Sequence, residues 1–154
     1  MKSILSLLGI ALTVLSCNSD VLYEQEERPG NPWKSDQILT YKYEVTDTIH
    51  PYDIVLKVHH SDTFAYENLY VKIATFFPKG DSIVSPLSLE LADDQGNWQG
   101  KCKSGNCETT IVMSQAAYYP QTGIYKLQLE QFSREDELPG IESIQIIVRK
   151  HTGK

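Results

Sequence analysis

The stretch KCKSGNC carries the first residues whose type and spacing suggest chemistry. Cys102 and Cys107 flank Lys103-Ser104-Gly105-Asn106, and Ser-Gly-Asn is turn chemistry. In an oxidising compartment an even pair at this spacing reads as a disulfide across the base of a hairpin. Free thiols, metal binding and redox chemistry are the competing readings. A zinc site needs about four ligands, and none of the chain's histidines is spaced near these cysteines. A loop so small confines little chain entropy, so the bond would pin a tip rather than hold up a fold. Asp93-Asp94-Gln95-Gly96-Asn97 hints at a calcium loop. It lacks the alternating oxygen ligands and the distal bidentate Glu of an EF-hand, and reads as a β-turn. His59-His60 reads as a solvated strand end, because strand neighbours face opposite ways and do not grip one ion together. Glu90 and Asp93 are the only suggestion of a glycosidase pair, and no second feature supports it. The sequence has no GxSxG elbow, no HExxH and no phosphate-cradling glycine loop. The expectation is therefore no enzyme, no cofactor and no metal site.

Aromatic side chains are the remaining candidates. The chain has nine tyrosines and two tryptophans. Tyr66, Tyr118 and Tyr119 fall at expected loop edges, and Trp33 follows a proline-rich stretch. Exposed rings of this kind stack on sugars or anchor a protein partner, since they offer large rigid surfaces with polar tips. Packing into or over the core is the competing reading for all four.

A third cysteine ends an apolar run. MKSILSLLGIALTVLSC has Lys2, a short apolar stretch and small residues before Cys17, the shape of a secretory signal. The run is short of the roughly 20 apolar residues of a membrane span. A signal anchor, a core helix and a cysteine that merely sits near a simple secretion signal are the alternatives. Val14-Leu15-Ser16-Cys17 resembles the bacterial lipobox, in which the signal is cut just before the cysteine and the thiol is acylated. Residues 1–16 are then a lipoprotein signal peptide and Cys17 is the lipid attachment point. Two or more acyl chains anchor stably where one does so marginally.

These residues must be positioned by elements, and most of the chain alternates with period two. Tyr41, Tyr43 and Val45 share one side of a run, as do Ile54, Leu56 and Val58. Leu69, Val71 and Ile73 follow, then Leu87, Leu89 and Leu91. Tyr125, Leu127 and Leu129, and finally Ile144, Ile146 and Val148, repeat the pattern. Half-buried strands look like this. Turn signals such as Pro78-Lys79-Gly80-Asp81 and Pro120-Gln121-Thr122-Gly123 separate them. The spacing predicts an all-β fold, an antiparallel β-sandwich of about eight or nine strands over residues 38–150. SREDELPGIES reads as one helical turn before Pro139-Gly140. Residues 17–37, with Pro29-Gly30-Asn31-Pro32, read as a lipidated N-terminus and extended tether. Fully stretched, Cys17 to Trp33 spans at most about 50–60 Å.

Composition bounds the partners. Formal charge is −6 over 154 residues. Residues 1–16 contain only Lys2 as a charged side chain, so their removal leaves 138 residues at −7. That length suits one domain with a core of its own. A chain this acidic is a poor nucleic-acid binder, and the sequence shows no basic patch for an anionic membrane surface.

Several stretches resemble the gliding-motility lipoprotein H (GldH) family of Bacteroidetes. They are the cysteine at 17, Trp33, YEVTDT with Asp47, Tyr52, FAYENLYV, FFPKGD, LELADDQGNWQGK, GIYKLQLEQFSRED and LPGIESIQIIV. The pieces occur in family order across nearly the whole chain after Cys17. The family pattern has no cysteine pair where this chain has KCKSGNC. The resemblance implies an all-β lipoprotein without enzymatic activity, serving the motility machinery and associated with type 9 protein secretion. It implies envelope proteins of that machinery as partners, and attachment to the outer membrane facing the periplasm. A carbohydrate-binding envelope lipoprotein is the alternative function.

Overall fold

A computed structural model describes residues 20–153. The signal-peptide reading of 1–16 and the lipidation reading of Cys17 lie outside the described residues. Eleven strands form, and no helix is present among the described residues. They are β1 (Val21–Glu27), β2 (Trp33–Lys34), β3 (Leu39–Val45), β4 (Tyr52–Ser61), β5 (Asn68–Phe76) and β6 (Ser82–Glu90), then β7 (Lys101–Lys103), β8 (Asn106–Ala117), β9 (Gly123–Gln131), β10 (Glu137–Leu138) and β11 (Ile141–Lys150). Three of these are only two or three residues long, which leaves the eight longer strands of an antiparallel sandwich.

The strands pair in the orders β1-β11-β4-β8-β7 and β3-β9-β5-β6, with β10-β2 as a small third ladder. Alternation sets which face is inward. Leu56, Val58, Ile144, Ile146 and Val148 of the five-stranded sheet meet Tyr41, Tyr43, Leu69, Val71, Leu127 and Leu129 of the four-stranded sheet in one core. Tyr41 spans the two layers, and its hydroxyl donates to the Ile144 carbonyl at 2.8 Å. Ladder-paired backbones and buried apolar faces are the two ways a strand satisfies itself, and both sheets use both. β6 is one of the two edge strands of the four-stranded sheet, with Pro86 opposite Lys72 in its middle. Proline suits an edge because its missing N–H faces solvent.

Two expectations change. Residues 17–37 are not a free tether in their described part. Val21–Glu27 is a full strand whose backbone pairs with Ile144–Arg149 of β11. The acidic run hid it, because an edge strand with one exposed face tolerates Glu24 and Glu26 pointing to water. The predicted helical turn in SREDELPGIES is instead a loop leading into β10. The alternation of Ile54 with Leu56 and Val58 holds, in unbroken register with β11, and the irregularity lies in the partner strand β8. Gln115 and Ala116 of β8 together oppose Asp53, because Tyr52 pairs with Ala117 while Ile54 pairs with Ser114. Ala116 sits at a φ of 52°, and its N–H donates to Asp53 Oδ1 at 3.0 Å. That bond stabilises the left-handed residue a bulge of this kind requires.

Candidate functional site

A groove of about 710 Å³ opens at the end of the sandwich where β5 begins and β9 stops. Tyr66, Tyr70 and Phe132 line it, each between 44% and 50% exposed. Asn68, Arg134 and Glu135 supply polar groups at its wall. Leu69 and Leu138, both part of the core, lie beneath.

Each ring is held by a local cause. Tyr70 points out of the four-stranded sheet because its neighbours Leu69 and Val71 point in. Phe132 leaves β9 alongside it, its N–H donating to the Tyr70 carbonyl at 2.8 Å. The Lys72 ammonium stands 4.0 Å from the centre of the Phe132 ring and 3.5 Å from Glu130. Tyr66 rests edge-on against Phe64, with ring centres 5.6 Å apart. Phe64 in turn packs near His60, and His60 packs on Trp98 with centres 4.6 Å apart. An aromatic column thus runs from the interior to the groove.

Gln131 shapes the wall. It is buried, and its Oε1 accepts from both the N–H and the hydroxyl of Ser133 at 2.9 Å and 2.5 Å. Its Nε2 donates to the Glu135 carbonyl at 2.9 Å. Four residues of loop are thereby folded around one buried amide, which would otherwise be left costly and unpaired. Nothing in the sequence pattern distinguishes Gln131 from the polar partners of a half-buried strand, and neither it nor Phe132 was singled out there.

The four aromatic candidates separate. Tyr66 lines the groove. Tyr118 is exposed at the opposite end of the sandwich. Trp33 and Tyr119 are buried and leave the set of surface candidates. Trp33 begins β2, pairs opposite Leu138, and its indole N–H donates to the Gln37 carbonyl at 2.9 Å. Tyr119 lies in a tyrosine cluster with Tyr43, Tyr52 and Tyr125, its hydroxyl 3.0 Å from that of Tyr43. Burial pushes both hydroxyls above the usual tyrosine range, that of Tyr43 to about 12.

Cys102 and Cys107 form a disulfide across paired strands β7 and β8. Ser104 and Gly105 take φ values of 54° and 87°, the two-residue hairpin turn that a right-twisted ribbon favours. The Gly105 carbonyl accepts from the Asp62 N–H at 2.9 Å, which ties the tip to the β4–β5 loop. His60 is not a solvated strand end. It is fully buried, with Nδ1 2.9 Å from the Ser61 carbonyl. Asp93 is a turn cap, its Oδ1 accepting from the N–H groups of Gln95 and Asn97 at 2.9 Å. Among the described residues no group of three or more His, Cys, Asp or Glu side chains is placed to hold a metal ion.

Comparison with known proteins agrees with the resemblance carried by the motifs. A family profile described as "GldH lipoprotein" matches residues 20–148. The chain is 23% identical to "Gliding motility lipoprotein GldH" of Flavobacterium johnsoniae, over 90% of its own length and 87% of that protein. It is 22% identical to "Gliding motility lipoprotein GldH homolog" of Christiangramia forsetii, over 94% of its own length and 91% of that protein. Among solved structures, the infectious bursal disease virus VP2 subviral particle covers 86% of this chain and 31% of the viral one. The two are 10% identical with a TM-score of 0.33, a likeness that carries no argument.

Proposed function

The chain belongs to the GldH lipoprotein family, and from that membership we propose a non-enzymatic docking component of the gliding-motility and type 9 secretion apparatus. Acyl chains on Cys17 hold the protein to the outer membrane, facing the periplasm. The groove of Tyr66, Tyr70 and Phe132 is the surface that engages an envelope protein of the machinery. The observation that carries this reading is the groove itself. Three half-exposed rings lie over core residues, Tyr70 on β5, Tyr66 against Phe64 and Phe132 at the start of the loop bonded to the Gln131 amide, an apolar surface of the kind that concentrates binding energy. A flexible patch would lose more in ordering than it gains.

Replacing Tyr70 and Phe132 together by Ser removes the apolar contact without touching the core. The expected outcome is loss of motility or type 9 secretion in the native host, at unchanged protein level and membrane attachment. A photo-crosslinking residue at position 66 should link to a protein of that machinery. Full activity of the double variant, with no such crosslink, would sink the reading.

The same rings favour one second reading. Three exposed aromatics beside Asn68, Arg134 and Glu135 also suit a glycan, stacked on the rings and bonded at its hydroxyls. A glycan array separates the two. Binding that the double Ser variant abolishes selects the glycan, and a blank array removes it.

A further inference from the structure

Five segments meet at the end of the sandwich remote from the groove. β1 begins there, β11 finishes, β4 starts and β8 stops, as the pairs Val21–Arg149, Arg149–Asp53 and Tyr52–Ala117 require. Loops 46–51 and 118–122 close the same end. Pro78 of the β5–β6 turn reaches it too, since a Cβ on Gly123 would lie 2.8 Å from the proline side chain. Ile49 and Tyr118 project from these loops at 81% and 65% exposure, the highest values among the described large hydrophobic side chains.

Two carboxylates of this end, Asp47 and Asp53, are covered. Asp47 lies 2.6 Å from His50 Nδ1 and 3.5 Å from Lys150 Nζ. Asp53 lies 2.8 Å from His151 Nδ1 and 3.8 Å from Arg149 Nε, and accepts from the Ala116 N–H. A strongly acidic protein thus presents one end where each of these acids is matched by a cation. The attachment point is also fixed by chain length. Asp20 is held at this end, its carbonyl accepting from the Lys150 N–H at 2.6 Å. Cys17 is three residues earlier, and three residues of chain span at most about 11 Å.

We propose that this end of the sandwich lies directly on the phospholipid bilayer, with Ile49 and Tyr118 seated at the boundary between headgroups and hydrocarbon. The proposal rests on acylation of Cys17. An isoleucine and a tyrosine suit that depth, the first by its apolar body and the second by a ring with a polar tip. Pairing of Asp47 and Asp53 reduces the repulsion that anionic headgroups would exert on this end. With Asp47 and Asp53 already paired within the protein, attachment through Ile49 and Tyr118 is apolar in character and insensitive to salt.

The test uses the full acylated protein in vesicles of phosphatidylethanolamine and phosphatidylglycerol. Spin labels are placed at I49C, Y118C and, on the far end, D94C. Labels at 49 and 118 are expected to be shielded from a water-soluble nickel relaxant at least fivefold more than the label at 94. The shielding should persist in 1 M NaCl. Equal access at all three positions, with the protein still floating on vesicles, overturns the proposal and leaves the lipid attachment standing. Shielding that collapses in high salt overturns the apolar basis. A protein that neither floats nor carries acyl mass on Cys17 overturns the attachment and the proposal with it.

Discussion

His60 shows how much one side chain depends on its surroundings. With Nδ1 donating to the Ser61 carbonyl, Nε2 is left to accept from the Thr109 hydroxyl at 3.4 Å. Burial lowers the imidazole pKa, partly opposed by the Ser61 carbonyl and by Glu142, while His59 adds to the lowering. The unfolded chain therefore takes up a proton near pH 6.5 while the folded one does not, so stability falls as pH drops below that value. The urea midpoint at pH 7.5 should exceed that at pH 5.5, and His60→Gln should narrow the difference. An unchanged difference in the variant would assign the effect elsewhere. The carboxylates act in another window, because hydrogen bonds lower Asp53 and Asp93 and their contribution is lost only as pH falls through the acid range. None of this was legible from HHS in the sequence. A two-residue alternation says that His59 and His60 face opposite ways, but not that Trp98 covers one of them. Gln131 was hidden in the same way, since a strand glutamine reads as solvated until a loop closes over it.

At the scale of elements the sequence spoke more clearly. Six of the eight long strands, β3, β4, β5, β6, β9 and β11, follow the alternation of apolar residues, and the KCKSGNC turn that opens β8 carries its signal in Ser104-Gly105. What the pattern missed was β1, whose inner contacts are made by Leu22 and Tyr23 while its other face is carboxylate. Pairing with β11 decided its conformation, and a long-range ladder leaves little trace in local composition. The disulfide hairpin yields a prediction at this scale. Changing Cys102 and Cys107 together to Ala should lower stability by about 2 kcal/mol, the chain-entropy value for so small a loop. Amide exchange should quicken at positions 101–107 and stay slow in β4 and β11. Global unfolding of the double variant would instead make the bond part of the core, a role suggested only by the burial of Cys107.

For the molecule as a whole, the ends of the sandwich differ. Under the proposed attachment through Cys17, one end would face the bilayer while the other opens the aromatic groove, so the length of strand between them would set the height at which a partner is met. A ten-residue strand rises about 33 Å. Inserting 20 Gly/Ser residues between Ser19 and Asp20 adds a mean reach of about 25 Å and frees the orientation. Motility or secretion should fall although folding and membrane attachment persist. Full activity of the insertion would show that standing height is immaterial. Pro86 has its own consequence in this setting. Molecules attached in the proposed way would all stand with the same end down, which would bring their free borders to equal level and confine them to two dimensions. Under such crowding an unbroken row of backbone donors would zip neighbours into a ribbon. A single imino acid in β6 leaves a gap in that row, which disfavours such pairing through this edge.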